Sequence, residues 1–309
     1  MKKPMKTSHN IITLSLALVS ASVQAQLANY QSTVSGQNPA YYFHFDNSLV
    51  DSVGGVAAFT AATAGDGFGS DYFGNGASAA SFAATSDYLT GSSSILGGAD
   101  TSTAVGSLTL LFYVPAAIPA TGYYFSDSET TGGASGSQPA NSALALQFSS
   151  SALTLKVGNK SQTLLSSGSV TANTWYYLGL TYNLNGTTTG VNGLNYYLGA
   201  VGGTLNSGFV QKGGTGNLSS SSLLGDGNTF VVGNKQQAVV PISSGLGTAG
   251  VVGGEIDELA TWGSELSSGQ IQSEFGALTP APEPSVLALL GVGGLLLSGR
   301  RKSYRLGTR

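Results

Sequence analysis

The sequence predicts an all-β fold, a two-sheet antiparallel sandwich of jelly-roll type with one short helix near its C-terminal end. Three observations predict it. Apolar and aromatic runs of four to eight residues recur between Gly, Ser and Asn clusters. Several of these runs place their large side chains at alternate positions, the period of a strand with one buried face. No shift in composition divides the stretch that carries them, so the strands belong to one domain, residues 26–280.

The first strand is Tyr41 to Phe45, with Tyr41, Phe43 and Phe45 on one face and His44 on the other. Ser107 to Val114 aligns Leu108, Leu110, Phe112 and Val114, and Trp175 to Tyr182 aligns Tyr176, Leu178, Leu180 and Tyr182. Further strands are expected at Ala143–Phe148, Leu153–Val157, Leu194–Leu198, Thr229–Val232 and Glu255–Trp262. The helix follows: Ser267 is a suitable N-cap, Gln270 completes a capping box, and Leu266 can staple to Ile271. Ile271, Phe275 and Leu278 continue one apolar stripe. This helix is expected across an open end or edge of the sandwich.

Charge is distributed unevenly along the 309 residues. The formal net charge of −3 combines two basic ends with an acidic body, in which four Lys and no Arg face 14 acids, a net −10. A body without guanidinium groups lacks the fork that grips phosphate, and its field repels polyanions, which argues against nucleic acid as a partner. The chain has no Cys, so disulfides and thiolate metal sites are excluded.

Residues 1–25 have the form of a secretory signal: Lys2, Lys3 and Lys6, an apolar stretch from Ile11 to Val19, and Val23-Gln24-Ala25 before a cut after Ala25 by signal peptidase. Residues 281–309 hold Pro282-Glu283-Pro284, an apolar helical run over about 285–299, and a basic end with Arg300, Arg301 and Lys302. At about 1.5 Å per residue that run covers only about 22 Å, short for a hydrocarbon core, and the basic end would hold it with the body outside. The order closely resembles the PEP-CTERM sorting signal of Gram-negative bacteria that make extracellular polysaccharide. The resemblance implies that an exosortase cleaves near Pro282-Glu283-Pro284, so that the membrane is met only through this segment before processing. Left uncut, the tail would be a permanent anchor.

The body resembles the LamG-like branch of the concanavalin A-like lectin/glucanase superfamily. The resemblance rests on Tyr42-Phe43-His44-Phe45-Asp46 with Asp51-Ser52-Val53-Gly54-Gly55, on Ser107–Val114 and Asn173–Tyr182, and on Gly254-Glu255-Ile256-Asp257-Glu258-Leu259 with the helix beyond Leu266. It implies the jelly roll, and a calcium ion held by loop carboxylates and carbonyls. Asp46, Asp51 and Asp257 are the candidate Ca²⁺ ligands, since Ca²⁺ takes hard oxygen donors.

Glu255-Ile256-Asp257-Glu258 is the best candidate for catalysis, because laminarinase-type hydrolases of the superfamily carry a Glu-x-Asp-x-Glu strand. Retaining hydrolysis needs a nucleophile and an acid/base about 5 Å apart. On a straight strand Glu255 and Asp257 share a face, Leu259 takes the third position, Glu258 points the other way, and Ala260 excludes the bulged form of the motif. No catalytic residue is therefore assigned. Trp175 and Trp262 fall in strands and are read as core.

The expectation from sequence is thus an exported, non-catalytic LamG-like module at the cell surface or in the extracellular matrix, binding glycan or protein. The Gly, Ser and Ala bias also suits a structural biofilm or surface-layer component without a discrete ligand, and a laminarinase-type glycoside hydrolase is the remaining alternative.

Overall fold

A computed structural model describes residues 24–54, 58–61, 67–82, 87–91, 95, 105–128, 142–158, 160–183, 193–211, 230–233 and 254–279. Most of the predicted signal segment, and the whole sorting segment with Pro282, Glu283, Pro284, Arg300 and Arg301, lie outside the described residues.

The first described element is helix α1, described over residues 24–35. The strands follow as β1 (Tyr41–Phe43), β2 (Thr60–Ala61), β3 (Gly67–Gly69), β4 (Ala79–Ser81), β5 (Leu89–Gly91), β6 (Val105–Val114), β7 (Thr121–Ser128) and β8 (Ser142–Ser149). Then come β9 (Ala152–Gly158), β10 (Lys160–Leu165), β11 (Thr174–Asn183), β12 (Gly193–Ala200), β13 (Asn206–Gln211), β14 (Phe230–Val232), β15 (Glu255–Trp262) and helix α2 (Ser268–Ala277). They form an eight-stranded sheet in the order β13-β12-β11-β6-β15-β4-β3, with β1 also on β15, and a seven-stranded sheet in the order β10-β9-β8-β7-β14-β5-β2. The named strand pairings are all antiparallel. The predicted all-β sandwich is the observed fold.

Two apolar clusters hold it together. Between the sheets, Phe43, Phe45, Leu108, Leu110, Phe112, Tyr176, Leu178 and Leu180 meet Tyr124, Leu144, Leu146, Phe148, Leu155 and Phe230. The alternation read from β6 and β11 is therefore the true inner face of the sheet. The second cluster lies on the outer side of the eight-stranded sheet, where Leu111, Tyr177, Ala260 and Trp262 are covered by Tyr30 and Val34 from α1 and by Ile271, Phe275 and Leu278 from α2.

The capping box on α2 is present as expected: Gln270 N donates to Ser267 Oγ, and Ser267 N donates to Gln270 Oε1. Its position differs from expectation. Instead of crossing an end or edge, α2 lies on the sheet face, because β11 and β12 are flattened there by Gly179 and Gly199. A Cβ on Gly179 would stand 3.2 Å from Ile271, and one on Gly199 would stand 2.9 Å from Phe275. The two glycines let the helix approach the strands closely.

Helix α1 is a second departure, since no helix was expected between the export signal and β1. Leu27, Tyr30 and Val34 lie at helical spacing and turn one stripe to the sheet. Gln26 Nε2 donates to Leu278 O at the end of α2, so the two helices are tied at their ends. Ala25, the predicted cleavage residue, is exposed on α1.

Candidate functional site

The outer face of the eight-stranded sheet collects most of the chemistry-bearing side chains. β15 organises it through a bulge: Asp257 pairs with Leu111 and Ala260 with Thr109, so β15 carries one residue more than β6 across this interval. Glu258 occupies the left-handed conformation at the bulge, with φ +51°. Ile256 and Leu259 point to the inter-sheet core, whereas Ala260 and Trp262 point to the helices. The expectation that Glu258 faces away from Glu255 and Asp257 is corrected here. The bulge turns its carboxylate to the helix side, where Tyr42 Oη donates to it.

Glu258 is 1% exposed and fully engaged. Besides Tyr42, Gln31 Nε2 of α1 donates to its Oε1 at 2.9 Å, and His44 Nδ1 lies 3.0 Å from its Oε2. Burial pulls the His44 imidazole down, but the hydrogen bond to Glu258 and its charge outweigh that, so the group titrates above its usual range. Nearby, Tyr177 Oη donates to the buried Glu274 of α2 at 2.9 Å, and burial raises that carboxyl to about 7. Asp257 is also 1% exposed. Its Oδ1 accepts from Glu258 N at 2.8 Å, and its Oδ2 has no hydrogen-bond partner among the described residues. Burial, then the charges of Glu258, Asp71 and Asp46, hold the Asp257 carboxyl well above the ordinary range.

The three candidate calcium ligands fall in different surroundings. Asp46 is exposed and acts on Asp257 through its charge. Asp51 is buried and organises a turn: Oδ1 accepts from Tyr42 N at 2.7 Å and Val53 N at 3.1 Å, and Oδ2 from Gly54 N at 2.7 Å. Among the described residues no group of three or more His, Asp and Glu side chains has an arrangement able to hold a metal ion. Both Asp51 oxygens already serve as acceptors, whereas Asp257 Oδ2 has no hydrogen-bond partner among the described residues.

One row of side chains on the same face is left partly open. Trp175 on β11 pairs with Tyr113 on β6, which pairs with Glu255 on β15, which pairs with Ser81 on β4. Directly paired residues project to the same side, so the row is continuous. The Trp175 and Tyr113 rings lie 5.5 Å apart at 48°. Tyr113 Oη donates to Asn173 Oδ1 at 3.0 Å. Trp262 is core, as read from the sequence, but Trp175 is only partly buried. Its position has the opposite parity to Tyr176, Leu178 and Leu180, which was the signal available in the sequence; that Tyr113 and Glu255 sit beside it depends on strand order.

Glu255 is the half-buried member of the row. Its carboxylate lies on Gly69 of β3, where a Cβ would fall 2.1 Å from Oε1. No hydrogen bond links it to another described residue, and burial raises it to about 7. Tyr113 is in turn raised by burial and by the charge of Glu255.

No family model matches the sequence, and no curated protein matches it. The fold is similar to solved two-sheet β-sandwich structures. One is the binding domain of botulinum neurotoxin serotype D, with TM-score 0.52, 13% identity, and coverage of 79% of this chain and 52% of that one. Another is the receptor-binding domain of the C/D mosaic serotype, with TM-score 0.51, 14% identity, and coverage of 78% and 51%. The chain thus spans about half the length of the structures it matches. At this identity the likeness is one of fold.

Proposed function

We propose that this chain is an exported, non-catalytic binding module of the cell surface or extracellular matrix, with glycan or protein as its ligand. The observation that carries the proposal is the partly open row Trp175–Tyr113–Glu255 on a sheet face that two helices cover in part. Aromatic rings beside one polar acceptor are the composition of a recognition surface. Burial of the remaining acids supports the absence of catalysis: Asp257 and Glu258 lie beneath the helices, and Glu255 has no second accessible carboxylate on β15 to complete a hydrolytic pair. The fold's likeness to receptor-binding domains points the same way by analogy.

Export rests on the sequence. Signal peptidase would act after Ala25, and an exosortase at Pro282-Glu283-Pro284 with Arg300 and Arg301 as the retained cytoplasmic end. Calcium belongs to the same proposal, with Asp257 Oδ2 and Asp46 as the side chains offering oxygen; the ion would neutralise a cluster that burial alone leaves uncompensated.

A glycan array probed with residues 26–280, with Ca²⁺ and with chelator, tests the ligand proposal. Binding to a defined glycan set is the expected result. A blank array, together with no pull-down from the extracellular matrix of the parent bacterium, would sink it.

A further inference from the structure

The open row also carries the chemical class of ligand. Resting on the binding-module proposal above, we infer that Trp175, Tyr113 and Glu255 form a subsite for a neutral hexopyranose, stacked on the two rings with its hydroxyl groups at the Glu255 carboxylate.

Geometry favours a sugar over other small ligands. The two rings stand side by side on a sheet row and are tilted by 48°, so they offer a shallow, open platform. An ammonium group is held best by rings closing around it over their faces. A pyranose instead presents one apolar C–H face to the rings and a rim of hydroxyls beyond them. The rim meets polar groups at both ends of the row. Asn173 accepts from Tyr113 through Oδ1, which leaves its amide N–H groups to donate outward. Glu255 waits at the other end without a partner among the described residues.

Charge excludes the anionic sugars. A uronate or sialate would bring its carboxylate to Glu255 on a body with net charge −10 and no Arg. A sugar hydroxyl is also a partner that Glu255 can take, since it donates to the carboxylate. The titratable group facing Glu255 is the Tyr113 phenol; β4 and β3 bring Ser81 and Gly69, which do not titrate.

Isothermal titration of residues 26–280 with neutral hexasaccharides of β-1,3-glucan, β-1,4-glucan and β-1,4-mannan tests the inference, with a hexagalacturonate and tetramethylammonium as controls. Binding of at least one neutral oligomer is expected, weakened about tenfold or more in Trp175→Ala. Glu255→Ala, which removes the acceptor at the hydroxyl rim, should weaken the same binding severalfold. Near-ultraviolet circular dichroism of both variants confirms that the fold is kept. Neutral-sugar binding that survives both substitutions overturns the subsite and leaves the binding module standing. Preference for the uronate or for tetramethylammonium overturns the subsite as well. If no saccharide binds, the subsite falls, and the wider proposal falls with it when the array is blank and nothing is pulled down from the extracellular matrix.

Discussion

His44 Nδ1 and Glu258 Oε2 stand 3.0 Å apart, joining the residue just after β1 to the bulge of β15. The same carboxylate accepts from Gln31 of α1, so three elements far apart in sequence are fixed at one buried point. An acid placed under two helices needs such partners, because an unpaired buried charge costs several kcal/mol. The bulge exists in physical terms to bring that acid to the helix side, and α1 is held down partly by it.

The direction of the shifts on this face fixes how stability depends on pH. Glu274 is raised from 4.5 to about 7 by burial, Asp257 is raised by burial and like charges, and His44 is raised by Glu258. Each group binds its proton more tightly in the folded chain. The associated stability is therefore complete below the unfolded pKa values and is lost as pH rises through the folded ones. For Glu274 the window runs from about 4.5 to about 7, and its share is bounded at about 3 kcal/mol. Thermal denaturation should show Tm falling from pH 5 to pH 8, with a shallower fall in Glu274→Gln. A Tm that rises over this range contradicts the assignment.

Glu258 should be among the most sensitive positions outside the inter-sheet core. Glu258→Ala removes the acceptor for Tyr42, Gln31 and His44 and keeps the Cβ already held at φ +51°, for a loss of about 3 kcal/mol. Glu258→Gly loses the same acceptor but relaxes the backbone, and should be milder by about 1 kcal/mol. Urea denaturation of the two variants measures the difference. Equal losses would show that the left-handed conformation carries no strain.

Much of this face could not be read from the sequence, for identifiable reasons. β6, β11 and α2 were legible because alternation at Leu108–Val114 and Tyr176–Tyr182, and a capping box at Ser267–Gln270, are local signals. The bulge was not, because the left-handed position holds Glu258 where a Gly would have marked it, and alternation read straight through gave the wrong face. Helix α1 was hidden because the run before it reads as an export signal, although Leu27, Tyr30 and Val34 have helical spacing. β2 to β5 are only two or three residues long, too short to show a period. The Trp175–Tyr113–Glu255 row depends on the strand order β11-β6-β15, which joins residues 175, 113 and 255 through long crossovers.

The docking of α2 depends on two glycines that differ in what surrounds them. Gly199→Ala would bring its Cβ to 2.8 Å from Thr204 O, a backbone atom, and 2.9 Å from Phe275. Gly179→Ala meets only side chains, at 3.2 Å from Ile271 and 3.3 Å from Tyr177. Backbone yields less readily than a side-chain terminus, so Gly199→Ala should lose about 2 kcal/mol and Gly179→Ala clearly less. Hydrogen exchange would locate the loss: amides of 268–277 should exchange faster in Gly199→Ala while those of β8 and β9 stay protected.

Asp51 and Asp257 should separate a structural carboxylate from a calcium-binding one. Asp51 accepts from three backbone N–H groups, and Asp51→Ala leaves those donors unpaired, for about 2 kcal/mol. That loss should be the same with Ca²⁺ as with chelator, because both of its oxygens are occupied by the turn. Asp257 is different: its Oδ2 is buried without a hydrogen-bond partner among the described residues, near the charges of Glu258, Asp71 and Asp46. If Ca²⁺ binds there, millimolar Ca²⁺ raises the Tm of the native chain, and the rise disappears in Asp257→Asn while persisting in Asp51→Ala. Without Ca²⁺, Asp257→Asn should be neutral or stabilising as pH rises, since it removes a carboxyl that burial and its neighbours' charges hold well above its ordinary range. A calcium-dependent shift that vanishes in Asp51→Ala, with the turn intact by nuclear magnetic resonance, would instead place the ion at Asp51.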